Sequence, residues 1–232
     1  MIVSPAPALA TAARVAPQTV SAHAPAVVLR ELGVTDYSAT LAAMRAFSRA
    51  RDADTPDEVW LTEHPPVFTL GLAARHEHLL DVGDIPVVAS DRGGQVTYHG
   101  PGQLVAYVLL DLGRRDLKVR EVVRLMEDAV LATLRDLGIE GHRLAGMPGV
   151  YVAGEKIASL GLKVSRGRSY HGLSLNVDMD LDPFDRIDPC GYRGLRVTHI
   201  AARRPVVSQA AIAARLARHL RSWMEPSAAC AR

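Results

Sequence analysis

The sequence predicts an α/β protein of the α+β type, a single domain with a mixed β-sheet flanked by helices. Three observations carry this expectation: short β-branched runs recur along the chain, two long segments space their apolar residues helically, and the two kinds of element alternate without regular βαβ repetition. The chain has 232 residues, 48% of them apolar, which suffices for one large domain with a sizeable core.

Residues 26–32 read as a strand, and residues 36–49 as a helix with Leu41, Met44, Ala46 and Phe47 near one face. Short strands are expected at 59–61, 67–70 and 87–89, around the turn Glu63-His64-Pro65-Pro66. A glycine-rich strand and then a buried strand occupy 95–110. The strongest helical period covers 119–137, where Val119, Val122, Val123, Met126, Val130, Leu134 and Leu137 share one face and Gly138 is the stop. Three strands are expected between 150 and 177, and an amphipathic helix at 209–223. Residues 1–25 read as a flexible Ala/Pro extension, or as the result of a start codon assigned too early. The folded catalytic unit is then expected at 26–224, with a frayed tail at 225–232.

Composition narrows the function classes. No apolar run is long enough to span a bilayer, and the segment before Val28 is broken by Pro5, Pro7, Pro17 and Pro25, with no basic residue before Arg14. A signal peptide and a membrane partner are therefore not expected. There are two cysteines, and Cys230 lies in the tail, so a structural disulfide is not expected and a reducing cytoplasm fits. The net charge of +2 and the absence of interleaved aromatic and basic residues argue against nucleic acid. Arginines recur at Arg114, Arg115, Arg166, Arg168, Arg193, Arg196, Arg203 and Arg204, and together they suggest a basic rim for an acidic protein partner. His76-Glu77-His78 is a weak metal pattern and reads as a surface or entrance loop, so no metal is expected. His64, His142, His199 and His219 stand in no motif.

Cys190 is the candidate nucleophile. It sits in Asp188-Pro189-Cys190-Gly191, between a proline that stiffens the approach and a glycine that leaves the sulfur uncrowded. A free thiol, with a pKa near ~8.5, is mostly protonated at neutral pH and needs a nearby cation. Lys156 can supply it. This lysine follows a tight Ala153-Gly154-Glu155 turn, and an unbroken returning strand would group it with Ala158, Leu160 and Leu162 and set Lys163 on the opposite face. Such partial burial would help it accept a proton, while its charged form would stabilise a thiolate. The alternative is a small hydrophobic cysteine and an ordinary solvated lysine.

Arg92-Gly93-Gly94-Gln95-Val96-Thr97-Tyr98-His99-Gly100-Pro101-Gly102-Gln103 brackets one short polar run with glycines that let backbone approach a ligand. This segment resembles the signature of the lipoyl(octanoyl) transferases. Lys156-Ile157-Ala158-Ser159-Leu160-Gly161, His171-Gly172-Leu173-Ser174-Leu175-Asn176-Val177 and Pro189-Cys190-Gly191 match the same family in order, over more than half the chain. The departure from the pattern is the added N-terminal leader.

The resemblance implies the mixed-sheet fold of the biotin/lipoyl ligases and a two-step acyl transfer. Cys190 matches the family's thioester-forming cysteine, and Lys156 the lysine that lowers its pKa. Arg92, Gly93, Gly94, Gln95, Val96, Thr97, Tyr98, His99, Ser159, Leu160, Gly161, His171, Gly172 and Leu173 match the stretches that line the substrate pocket. Among these, Leu160 and Gly161 would offer the acyl chain an apolar side chain and space. The implied donor is octanoyl-acyl carrier protein. The implied acceptors are lipoyl domains of 2-oxoacid dehydrogenase complexes and the glycine cleavage H protein. A thioester is already activated, so neither ATP nor another cofactor is implied. The oxyanion donors stay open between backbone amides near Cys190 and a donor such as His99. Two other readings differ in their requirements: a ligase would need ATP to adenylate a free acid, and a carrier-binding module would need neither Cys190 nor Lys156.

Overall fold

The computed structural model describes residues 26–205 and 208–224. The expected extension and the tail with Cys230 lie outside the described residues. In chain order the elements are β1 (Val28–Val34), α1 (Tyr37–Ala50), β2 (Glu58–Glu63), β3 (Val67–Leu70), β4 (Val87–Ala89), β5 (Val96–His99), β6 (Gln103–Leu109), α2 (Val119–Asp136), β7 (His142–Leu144), β8 (Met147–Val152), β9 (Glu155–Ser165), β10 (Arg168–Asn176) and α3 (Gln209–Met224). The expected elements are present with small shifts at their ends. β7 was not expected, because three residues, His-Arg-Leu, carry no alternation that could announce a strand.

Local chemistry sets the helix ends. The Asp36 carboxylate accepts from the Ala39 N–H at 2.8 Å and caps α1. At the start of α2 the Glu121 carboxylate reaches back to accept from the Lys118 N–H at 2.7 Å. Beyond its end Gly138 adopts a left-handed conformation (φ 72°), as a helix stop requires. The buried stripe of α2 begins at Val122, whereas Val119, in the open first turn, stays exposed.

Seven strands form one sheet in the order β1-β2-β6-β10-β9-β8-β7, in which β1 and β2 run parallel and the other neighbours antiparallel. β6 shows why this sheet is buried on both faces. Leu104, Ala106 and Val108 enter the core beneath α2 and α3, while Val105, Tyr107 and Leu109 enter a second core with Tyr37, Leu41 and Met44 of α1. β4, β3 and β5 form a separate three-stranded sheet, β3 being parallel to β4 and antiparallel to β5. On β5, Val96 and Tyr98 join Phe68, Phe184 and Ile187 in a third core. Strand alternation then turns Gln95, Thr97 and His99 to the other side.

The expected basic rim is not continuous. Arg115 is fully buried, and together with Arg51 and Arg114 it pairs with the buried Asp57 carboxylate. Arg115 also donates to the Met224 carbonyl and so fastens the end of α3. The guanidinium groups of Arg51 and Arg115 are buried and that of Arg114 partly so, since one carboxylate and several carbonyls answer most of their donors. Arg168 faces Asp111, Arg203 pairs with Glu155, and Arg204 donates to the Leu137 carbonyl. Arg166, Arg193 and Arg196 remain exposed, the last also pairing with Glu155. Among the described residues, no helix is long and apolar enough to cross a membrane.

Removal of the central carboxylate should be costly, because it strands buried cations. Asp57→Ala is expected to reduce the unfolding free energy by about 3–5 kcal/mol in urea titrations. A loss smaller than about 1 kcal/mol would mean that the arginines find other partners.

Candidate active site

Cys190 lies in a single turn of 3-10 helix, Pro189–Gly191, with its own backbone left-handed at φ 57°. That conformation is unfavourable for a side-chain-bearing residue and persists only where its surroundings enforce it. On the entering side, the Asp188 N–H donates to the His78 carbonyl at 2.9 Å, His78 Nδ1 lies 3.4 Å from the Asp188 carboxylate, and Leu79 bridges to Ile187. The His76–His78 turn is therefore a buttress of the cysteine loop. On the leaving side, Val197 pairs with Lys156 in a parallel bridge.

The structure brings Lys156 and Cys190 together: Nζ lies 3.1 Å from Sγ and donates to the Pro148 carbonyl at 2.9 Å. Lys156 is buried and Cys190 half-buried. The face assigned to Lys156 from alternation is corrected. β8 and β9 pair Val150 with Ala158 but Tyr151 with Lys156, so Ile157 is the extra residue of a β-bulge. Ala158, Leu160 and Leu162 therefore pack toward the α2–α3 core with Val150, while Lys156 turns to the face of Tyr151, whose ring lies 5.5 Å from Nζ. After the bulge, Lys163 shares that face with Lys156, since it pairs with Tyr170, a residue of the α1-side core. Gly149 makes the room: a Cβ there would lie 2.6 Å from Lys156 Cε, and its φ is 138°. Glu127 on α2 accepts from the Gly149 N–H at 3.0 Å and from Arg143 at 2.7 Å, which fixes the segment that carries the Pro148 carbonyl.

A pocket of about 490 Å³, its open mouth included, extends from Cys190. Arg92, Gly94, Gln95, Val96, Thr97, His99, Ser159, Leu160, Gly161, His171, Gly172 and Leu173 line it, as do Tyr37, Val105, Tyr107 and Ser174. Gly93 and Tyr98 do not. Gly93 instead donates to the Leu162 carbonyl at 2.9 Å, and the Tyr98 ring packs against Phe68 and Phe184 on the opposite face of β5. Gly161 lacks a side chain for a different reason from the one expected. A Cβ there would lie 2.8 Å from the Gly93 carbonyl, so the glycine admits the Arg92-Gly93 loop rather than an acyl chain.

The polar residues of the pocket are arranged as neutral acceptors around one buried cation. Arg92 donates to the Thr69 carbonyl at 2.7 Å, to Thr69 Oγ1 at 2.8 Å and to the Gly93 carbonyl at 3.1 Å, with no carboxylate among its partners. Burial draws its pKa below the ordinary arginine value, yet the group stays cationic. Gln103 donates through Nε2 to Asn176 and the Tyr98 carbonyl, so its Oε1 must accept from His99 Nδ1–H at 2.7 Å. His99 is thus left with a bare Nε2 and offers an acceptor, which removes it as an oxyanion donor. The Gly191 and Tyr192 amides are engaged by the Asp188 and Pro189 carbonyls.

Burial, helped by repulsion from His64, lowers the His99 pKa to about 3. Burial lowers that of His171 to about 4, against the pull of Asp91, whose carboxylate accepts its Nε2–H at 2.8 Å. Burial alone would raise the pKa of Asp91, but hydrogen bonds from His171, Tyr170 and Arg45 outweigh it and hold the carboxyl well below the usual range. His171 also has φ 63° inside β10, a second strained residue in the site. His64, which no motif singled out, accepts from the Tyr107 hydroxyl at 2.7 Å and meets the His99 ring edge-on. Asp91, Tyr37, His64 and Tyr107 escaped the sequence reading, because only the fold gathers them. Among the described residues, no three His, Cys, Asp or Glu side chains could hold a metal.

The chain matches the family described as the lipoyl protein ligase A/B catalytic domain over residues 36–221. It is 64% identical, over 180 residues, to an octanoyltransferase of Aromatoleum aromaticum, with 77% of this chain and 78% of the relative covered. An octanoyltransferase of Ectopseudomonas mendocina is 60% identical over 176 residues, covering 76% and 86%. In fold, the chain is similar to lipoate-protein ligase A bound with ATP, with a TM-score of 0.71 at 20% identity over 87% of this chain and 85% of that one.

Because His99 and His171 stay neutral in the folded protein, the unfolded chain takes up protons first as the pH falls below about 6.5. Their stabilisation is present above that pH and is lost on acidification toward about 4. Urea unfolding at pH 7, 6, 5 and 4 should show stability falling by up to about 1.4 kcal/mol per pH unit for each histidine. A flat profile across this window would contradict the assignment of neutral imidazoles.

Proposed function

The chain belongs to the lipoyl protein ligase A/B catalytic-domain family and is an octanoyl-transferring acyltransferase, and we propose that Cys190 carries the acyl group as a thioester. The observation that carries this reading is the 3.1 Å contact between Lys156 Nζ and Cys190 Sγ at one end of the pocket. An ammonium at that distance favours the thiolate, and its amine form can take the thiol proton.

In the first step the Cys190 thiolate attacks the thioester of an acylated carrier protein. The carrier's phosphopantetheine thiol leaves, and the octanoyl chain remains on Sγ, lodged in the pocket against the side chains of Val105 and Tyr107. In the second step the ε-amine of a lipoyl-domain lysine attacks the same carbonyl, the C–S bond breaks, and an amide is released. Because the donor is already a thioester, neither step needs ATP. Lipoyl domains of 2-oxoacid dehydrogenase complexes and the glycine cleavage H protein are the acceptors this reading names. Arg193 and Arg196, exposed just past Cys190, suit an acidic carrier at the pocket mouth.

Denatured protein recovered after incubation with octanoyl carrier should hold one octanoyl group on Cys190, and Cys190→Ala should hold none; a label on another residue refutes the thioester role. Lys156→Ala should slow transfer by roughly 10²-fold or more and move the pH profile of Cys190 alkylation upward. Coincident alkylation curves would show that Lys156 does not tune the thiol. Reversing Arg193 and Arg196 to Glu should raise KM for the carrier and weaken its salt dependence, whereas an unchanged salt response would exclude them from docking.

A further inference from the structure

Two buried polar atoms in the pocket lack any partner: Gln95 Oε1 and Thr97 Oγ1. Thr97 is only 6% exposed. Thr97 lies on β5 and Gln95 just before it, two residues apart, while the intervening Val96 and the following Tyr98 enter the core. The Gln95 amide packs directly over Gly191, the residue after the nucleophile, so closely that a Cβ on Gly191 would lie 2.7 Å from its Nε2. Leaving one such atom unpaired destabilises the fold, so a pair of them lining the pocket of Cys190 calls for a ligand group that answers both.

An octanoyl chain cannot answer them. It has no polar atoms, and its thioester carbonyl can only accept, which leaves the Gln95 carbonyl oxygen without a donor. A neutral primary amine fits: it has two N–H bonds to give and one lone pair to keep.

We propose that Gln95 and Thr97 form the amine-receiving subsite of the second half-reaction, which rests on the acyl-Cys190 reading above. Gln95 Oε1 and Thr97 Oγ1 each accept one N–H of the incoming lysine, and the nitrogen lone pair is thereby aimed at the thioester carbon. As the C–N bond forms, the carbonyl becomes an oxyanion. Its collapse breaks the C–S bond, and Sγ leaves with the electron pair. One N–H proton passes to the thiolate, directly or through Lys156 when its amine is neutral, and the other stays on the amide nitrogen. The apparatus reads the nucleophile rather than the acyl group.

Single-turnover experiments separate the two halves. Wild type, Gln95→Leu and Thr97→Val are charged with octanoyl carrier protein, and acyl-Cys190 is followed by intact mass. Its discharge is then followed on adding a lipoyl domain or, separately, n-butylamine. We expect discharge to both amines, measured against charging in the same variant, to be slowed by about tenfold or more in each, a loss consistent with one buried hydrogen bond. Because each change replaces an orphaned polar group with an apolar one of similar shape, the variants should melt no lower than wild type, which separates positioning from a folding defect. Discharge at the wild-type rate, or charging and discharge slowed equally, would overturn the subsite. Failure of the wild type to form any adduct would instead overturn the thioester reading itself.

Discussion

Lys156 is held on both sides of its peptide by the strand that leaves the cysteine loop. Its N–H donates to the Arg196 carbonyl at 2.9 Å, and its carbonyl accepts from the Thr198 N–H at 2.9 Å. This short bridge joins Lys156 to Val197 and sets the distance between the amine and the Cys190 sulfur, 34 residues apart in sequence. The rest of the site depends on it. Backbone bonds of this kind fix position more firmly than a surface ion pair could, since the side chains start from a rigid frame. Asn176, at the end of β10, adds a further tie by donating to the Thr198 carbonyl.

Strain and buried polarity are concentrated around this frame. Cys190 and His171 both hold left-handed backbone conformations, and Arg92 is a buried cation answered only by neutral acceptors. Each of these costs stability, and each adjoins the pocket. The compensation lies in the two apolar cores of the large sheet and in the Asp57 cluster, where cations and carboxylate meet. On the proposed thioester route, the site would benefit from fixed positive charge in a dry setting, where little reorganisation accompanies reaction.

Much of this was legible in the residues. The helical period of α2, the unbroken apolar run of β6 and the punctuation at Gly138 are local signals, and each yielded its element. Cys190 and Lys156 stood out because their neighbours suited a reactive thiol and a partly buried amine. The errors have local causes too. One bulged residue, Ile157, reversed the face assigned to Lys156 and so brought it to the side of Lys163, and a bulge leaves no mark on the apolar pattern. Arg114 and Arg115 looked like surface charge until Asp57, more than fifty residues earlier, was found beneath them.

Composition and periodicity determined the fold class, residue context pointed to a candidate nucleophile and its amine partner, and the resemblance carried by the motif order implied most of the pocket wall. Tertiary structure decided which face each side chain serves, that Tyr98 belongs to a core, that His99 presents an acceptor, and that Asp91, His64 and Tyr107 belong to the site. The physical reason is range. Propensity and alternation act over a few residues, whereas protonation, tautomer and hydrogen-bond satisfaction depend on groups brought together from distant strands, whose meeting no local pattern encodes.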